Sequence, residues 1–128
     1  MIRLTIALLA IATTAALAQG KAPSPPSSAQ AALIFTDAWK KLRPDFTVHS
    51  VEVLKSEPKQ YQERRWIVYK LAITATGTDK GSREMYQKKY RCTPEDYSSV
   101  LKLEGTNWLP DEKMIRDVNE SRDCKLTK

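Results

Sequence analysis

The chain has 128 residues, with 21 lysines and arginines against 15 acidic residues, one histidine and two cysteines. This length fits one domain, and a hydrophobic share of 41% with a charged share of 28% excludes collagen, coiled coils and polytopic membrane proteins. One histidine and two cysteines are too few ligands for a structural zinc site, and the four glycines include no dinucleotide-binding loop. We therefore expect no metal and no cofactor.

Residues 1–18 have the pattern of a secretory signal peptide. Arg3 supplies the positive charge, Leu4 to Ala12 are apolar, and Ala16-Leu17-Ala18 matches a small-x-small cleavage site. The apolar stretch is shorter than the roughly 20 residues of a membrane span. We expect an exported protein, periplasmic or secreted, that begins at Gln19 and has no transmembrane segment after cleavage. The alternative is an uncleaved N-terminal anchor.

Cys92 and Cys124 are the only cysteines. In the oxidising compartment that an exported protein reaches, two cysteines are expected to pair within the chain. Loop entropy alone would then stabilise the fold by about 3–4 kcal/mol. A redox pair is the less favoured interpretation because the C-x-x-C spacing is absent, and an intermolecular bridge is a further alternative.

The N-terminal part of the mature chain predicts a linker and then a helix. Residues 19–27 are rich in proline and serine, which predicts a short extended linker before a single globular domain at 28–128. Ser27 and Gln30 match a capping box, and apolar residues then recur at helical spacing. Pro44 disfavours helical geometry at the residue before it. These features predict a helix over 28–43.

Three strands of an antiparallel meander are predicted to pack on this helix. The first changes the phase of its apolar alternation, which a β-bulge near His49 and Ser50 would reconcile. The second carries five apolar residues on alternate positions and is half apolar on its other face, as expected of a central strand. The predicted strands span 46–56, 65–76 and 82–92, with a turn at 57–60, an extension of that turn over 61–63 left open, and a hairpin loop at 77–81.

The sequence after Cys92 indicates helix more than strand. Thr93 and Pro94 match a helix start, although the alternation of Leu101 and Leu103 leaves a fourth strand over 99–104 open. A further helix is predicted from near Leu109 to about Ser121.

The predicted fold is α+β. An N-terminal helix packs on a three- to four-stranded antiparallel meander, followed by one or two C-terminal helical segments. This element order resembles the cystatin-like and NTF2-like architecture. The Q-x-V-x-G loop of cystatins is absent, and the resemblance implies no functional residue because such folds host many unrelated functions.

Catalysis has little support in the sequence. His49 is followed by Ser50, but neighbours on a strand face opposite sides, and no serine lies on a sharp glycine-flanked turn. The carboxylates are scattered over separate strands and turns, so no spacing singles out an acid–base pair. We assign no catalytic residue.

The third predicted strand is the most distinctive segment. Alternate positions place Arg83, Lys89 and Arg91 on one face, whereas Tyr86, Tyr90 and Cys92 lie on the face expected to meet the helix. Lys88 lies close by at the strand edge, and the neighbouring strand offers Arg64, Arg65 and Lys70. The candidate binding residues are therefore Arg83, Lys88, Lys89 and Arg91. The alternative is a solvated face whose lysines discourage edge-to-edge aggregation.

The leading hypothesis is an exported, disulfide-stabilised binding protein that is not an enzyme, such as an inhibitor or accessory subunit of an exported enzyme or envelope complex. Its partner would be an acidic protein or other anionic macromolecule, without specific recognition of nucleic acid. The alternatives are a small basic secreted hydrolase, with its site between the sheet and the last helices, and a small-molecule carrier. A concave pocket with converging polar groups would favour the hydrolase.

Overall fold

The structure is a computed structural model that describes residues 23–78 and 87–127. It is α+β, as predicted: one N-terminal helix packs on an antiparallel sheet, and small helices lie near the C-terminus. The described residues form a sheet of six strands, against the three or four expected. The proposed signal peptide and the first part of the linker lie outside the described residues.

Helix α1 (Ser28–Leu42) confirms the predicted helix. The Ser27 side chain accepts a hydrogen bond from the backbone N–H of Gln30 at 3.1 Å, and the Ser27 N–H donates to the Gln30 side chain at 2.9 Å. This reciprocal capping box satisfies two N–H groups that the first turn leaves without a partner. The buried face of α1 is part of the predicted apolar stripe and consists of Ala31, Phe35, Ala38 and Trp39.

The central strand organises the sheet. The strands are β1 (Phe46–Tyr61), β2 (Arg64–Thr78), β3 (Gln87–Cys92), β4 (Val100–Glu104), β5 (Asn107–Pro110) and β6 (Cys124–Leu126). One edge of β2 pairs with β1 along almost its whole length, and the other edge is shared between β4 and β3. The outer strands β5 and β6 pair with β4 and β3 respectively, and every pairing is antiparallel. The antiparallel meander of the first three strands is confirmed for the described residues. Residues 79–86, which hold most of the predicted hairpin loop and the first part of the third predicted strand, lie outside them.

The first strand differs from its prediction at its end. A register shift between Val48 and Ser50 confirms the expected bulge, and a second shift occurs between Val53 and Lys55. The turn predicted at 57–60 is wrong, because β1 continues through Pro58 to Tyr61. Proline removes a ladder donor, but among the described strands β1 pairs with β2 alone and so lies at an edge, where proline is tolerated.

The helical interpretation of 99–104 is wrong. Only a 3-10 turn (Asp96–Ser98) forms, and the chain then pairs with β2 as β4. The turn has no side-chain cap, and pairing with the vacant half of the β2 edge prevails over the local helix signals. The single helix expected up to Ser121 is divided into α2 (Glu112–Arg116) and α3 (Glu120–Asp123), after which β6 begins.

The core lies between α1 and the inner face of the sheet. Ring contacts link Phe35 to Tyr69 and Phe46 to both Trp39 and Tyr90, so aromatic side chains connect the helix with the first three strands. Gly77 lies opposite Phe46, and a Cβ at Gly77 would come within 2.7 Å of the phenyl ring. Glycine therefore leaves the room that Phe46 fills.

The predicted disulfide is present. Cys92 and Cys124 lie directly opposite each other on β3 and β6 and are bonded through sulfur. Both side chains are buried against the core. The bridge fixes the short strand β6, which has only three residues, to the rest of the sheet.

Candidate binding face

The side of the sheet turned away from α1, termed the outer face, carries the candidate site. Side chains alternate along a strand, and residues directly opposite each other on neighbouring strands share a face. On β2, Ile67, Tyr69, Leu71, Ile73 and Ala75 are buried on the inner side, as predicted. The β2 residues between them belong to the outer face, and so do their pairing partners on β1, β3 and β4. Lys125 on β6 joins this face because it pairs with Arg91 on β3.

A group of three exposed cations, termed the basic cluster, lies at one end of the outer face: Lys89, Arg91 and Lys125. Arg91 on β3 lies directly opposite Lys125 on β6, and Lys89 is two positions before Arg91 on the same face. Within residues 23–78 and 87–127 none of the three side chains forms an ion pair with a carboxylate. The cluster therefore offers uncompensated positive charge to solvent.

Hydroxyl groups border the basic cluster on its β2 side. Thr74 lies opposite Arg91, and Thr76 lies opposite Lys89. The ring nitrogen Nε2 of His49, at the bulge of β1, is 2.5 Å from Oγ1 of Thr76. The two threonine hydroxyls can supply neutral hydrogen-bonding partners beside the three cations, an arrangement that suits carboxylate or phosphate oxygens.

A second like-charged pair lies further along the outer face. Lys55 on β1 is directly opposite Lys70 on β2, and both are exposed. Glu52 lies between this pair and the basic cluster, and Glu57 is engaged by Lys59 at 2.9 Å. That hydrogen bond and charge from Lys59 lower the pKa of the Glu57 carboxyl. The outer face is thus basic overall, and its cations are concentrated in two places.

The candidate residues from the sequence are only partly brought together. Lys89 and Arg91 share the outer face, whereas Lys88 lies opposite Gly77 on the inward side and is half-buried. Arg83 lies outside the described residues. Lys125 was missed because a strand of three residues carries no periodic pattern, and only its position beside Cys124 could have suggested its place next to Arg91.

A concave, largely apolar region lies at the opposite end of the sheet, where the outer face meets the strand ends. A groove of about 660 Å³, termed the Trp66 groove, is lined by Tyr61, Trp66, Val100 and Leu103. Its rim carries charges of both signs, contributed by Glu63, Arg64, Arg65, Lys102, Glu104 and Asp111. Tyr61 is 65% exposed, and the outward-facing Leu109 beside Lys102 is 43% exposed. This end therefore exposes large apolar side chains beside paired charges.

Another pocket, of about 720 Å³, lies between the sheet and the last helices, where a hydrolase site was expected. Its most buried charged group is Arg43, whose guanidinium donates to the carbonyl of Val118 at 2.6 Å and to both carboxylate oxygens of Asp45 at 3.0 and 3.1 Å. It also lies over the rings of Trp39 and Phe46, 5.7 and 5.3 Å from their centroids.

These contacts give Arg43 a structural role that the sequence analysis did not predict. Its donors are engaged by the protein, so the guanidinium connects the end of α1 with the chain that follows α2. Nearby, the Asn119 side chain accepts from the N–H groups of Ser121 and Arg122 and so caps α3. Those polar groups are therefore committed to holding the fold.

The described residues show no arrangement that resembles a triad or a metal site. In the described chain, the ring of His49 contacts the Thr76 hydroxyl and no carboxylate. Across 23–78 and 87–127, no three His, Cys, Asp or Glu side chains are grouped to hold a metal ion. No described helix has both the length and the apolar character that a membrane span needs.

Comparisons of the chain with protein-family models, with curated proteins and with solved structures each give no match.

Proposed function

We propose that this protein is an exported, non-enzymatic binding protein whose outer sheet face attracts an acidic protein or other anionic macromolecule. An inhibitor or accessory subunit of an exported enzyme or envelope complex fits this description. The helix laid across an antiparallel sheet supports a cystatin-like or NTF2-like architecture, a class in which function depends on the residues of a particular surface rather than on the fold.

One observation supports the proposal most strongly: Arg91 and Lys125 are directly opposite each other on an exposed face. Like charges at such positions destabilise a sheet. Aggregation control requires charges only at sheet edges. Arg91, however, is on β3, which has a partner on both sides. Binding of an anion would turn this repulsion into attraction, which explains why the pair is present.

The proposal is tested with polyglutamate as an acidic probe at low ionic strength. The variant in which Lys89, Arg91 and Lys125 are all replaced by Ser should bind the probe at least tenfold more weakly than the parent. A matched control replaces Lys40, Lys41 and Lys113, which are exposed on the helices. It loses the same charge elsewhere and should bind nearly as well as the parent. Equal loss in both variants would show that net charge alone drives binding.

Export is part of the same proposal. The disulfide is consistent with an oxidising compartment, and Ala16-Leu17-Ala18 supplies a cleavage site. The intact mass of the exported protein should match a chain that begins at Gln19. Recovery of the uncleaved chain in the membrane fraction would contradict this.

A further inference from the structure

We infer that the Trp66 groove receives an apolar side chain of the same acidic protein that the basic cluster attracts. This rests on the proposed function and specifies the partner as a protein. The inference starts from position: Trp66 and Thr74, the neighbour of Arg91, lie on the same face of β2. Eight positions along a strand correspond to about 26 Å.

A separation of this size fits within one typical protein–protein interface. An interface that buries about 800 Å² on each partner is roughly 30 Å across, so one partner surface can cover both the groove and the basic cluster. Protein interfaces concentrate binding energy in aromatic anchors surrounded by polar groups. The Trp66 groove has this composition, because Trp66 and Tyr61 lie within a rim of charged side chains.

The charges at the rim favour a protein over a lipid surface or a nucleic acid. Arg64 and Lys102 are accompanied by Glu104 and Asp111, and Lys102 is already paired with Asp111 at 2.9 Å. A uniform array of phosphates would meet these carboxylates and be repelled. A protein can instead place acidic residues over the basic cluster and an apolar residue over the groove.

Two synthetic peptides test the inference. Each carries a run of glutamates and a semi-rigid spacer of about eight prolines, which spans about 25 Å. One ends in Phe, and its control ends in Ser. Each peptide is made in two versions, one with the glutamates at its N-terminal end and one with the glutamates at its C-terminal end. The Phe peptide should bind at least about threefold more tightly than the Ser peptide, because burial of a ring adds affinity that the glutamates do not supply.

Nuclear magnetic resonance identifies where the ring binds. The Phe peptide, but not the Ser peptide, should shift the indole N–H signal of Trp66, which is assigned by its loss in Trp66→Phe. Tyr61→Ser and Trp66→Ser should remove the advantage of Phe and leave glutamate-dependent binding intact. The control Leu33→Ser removes from α1 an apolar side chain that is as exposed as Tyr61. It should change neither the advantage of the Phe peptide nor the glutamate-dependent binding.

The outcomes separate the two proposals. If both peptides bind equally and the Trp66 signal does not move, the groove is not a docking site, whereas binding by the basic cluster stands. If neither peptide binds at low salt, the proposed function itself is wrong. If vesicles of anionic phospholipid shift the Trp66 signal and the Phe peptide does not, the choice of a protein partner is overturned.

Discussion

Arg91 and Lys125 lie directly opposite each other one position away from the Cys92–Cys124 bridge. The disulfide therefore holds together two strands whose exposed side chains repel each other. The repulsion between these two side chains lowers the stability of the sheet at this position. Under the proposed function, an anionic partner would supply the negative charge that neither strand carries.

Charge reversal at one member of this pair should stabilise the fold. Lys125→Glu places opposite charges at facing positions, and we expect the free energy of unfolding to rise by about 0.5 kcal/mol, measured by urea denaturation. The gain should disappear in an Arg91→Ser background, which makes this a double-mutant cycle. A gain of equal size in both backgrounds would show that the two side chains do not interact.

Reduction of the disulfide should destabilise the protein. The bridge closes a loop of 32 residues and so lowers the conformational entropy of the unfolded state. This raises the free energy of unfolding by about 3–4 kcal/mol. Reductant, Cys92→Ser and Cys124→Ser should each lower the melting temperature to a similar extent. Two thiols that react freely with an alkylating agent in the native protein would refute the bridge.

Removal of the buried Arg43 guanidinium should destabilise the fold much more than removal of an exposed arginine. Arg43→Met leaves the buried carbonyl of Val118 without this donor and removes the guanidinium from the rings of Trp39 and Phe46, and we expect a loss of about 2–4 kcal/mol in the free energy of unfolding. The exposed Arg64 provides the control, since Arg64→Met should change stability by no more than about 0.5 kcal/mol. Equal effects of the two substitutions would contradict the structural role of Arg43.

The sequence predicted the features that depend on local periodicity. Helix α1, the bulge before Ser50, the inward face of β2 and the alternation of Tyr90 with Arg91 all follow from spacing within one segment. The pairing of the two cysteines followed from their number and the expected compartment.

The features that depend on long-range pairing were predicted only as an alternative, as for strand β4, or not at all. Strand β4 forms because half of one β2 edge is vacant, a fact that no local cap signal contains. Lys125 reaches Arg91 only because β6 returns to β3, and the Trp66 groove combines residues from three strands and the chain near Asp111. The basic cluster was therefore found in part and the groove was not found.

Asp111 should contribute to sensitivity toward acid. Burial raises the pKa of the Asp111 carboxyl, but hydrogen bonds from Lys102 and from the backbone N–H of Met114, with the charge of Lys102, outweigh it and leave the pKa below its ordinary value of 3.8. A carboxyl with a lowered pKa stabilises the folded state above pH 3.8, and this contribution is lost as the pH falls through the folded-state pKa.

The free energy of unfolding should consequently fall less in Asp111→Asn than in the parent as the pH is lowered from about 5 to about 2, measured by denaturation at each pH. Lys102→Met removes the partner and should reproduce part of this change. Parallel stability profiles for the parent and Asp111→Asn would show that this carboxyl is not held by its neighbours.

The most direct test of the binding face is an exchange of its charge preference. We compare a variant with Lys89, Arg91 and Lys125 replaced by Glu with a control that carries Glu at Lys40, Lys41 and Lys113, and measure the dissociation constants of polyglutamate and polylysine for both. The two variants have the same net charge. The first variant should bind polyglutamate more weakly and polylysine more tightly than the control does, whereas the control should keep a preference for polyglutamate. Identical behaviour of the two variants would contradict the assignment of binding to the outer face.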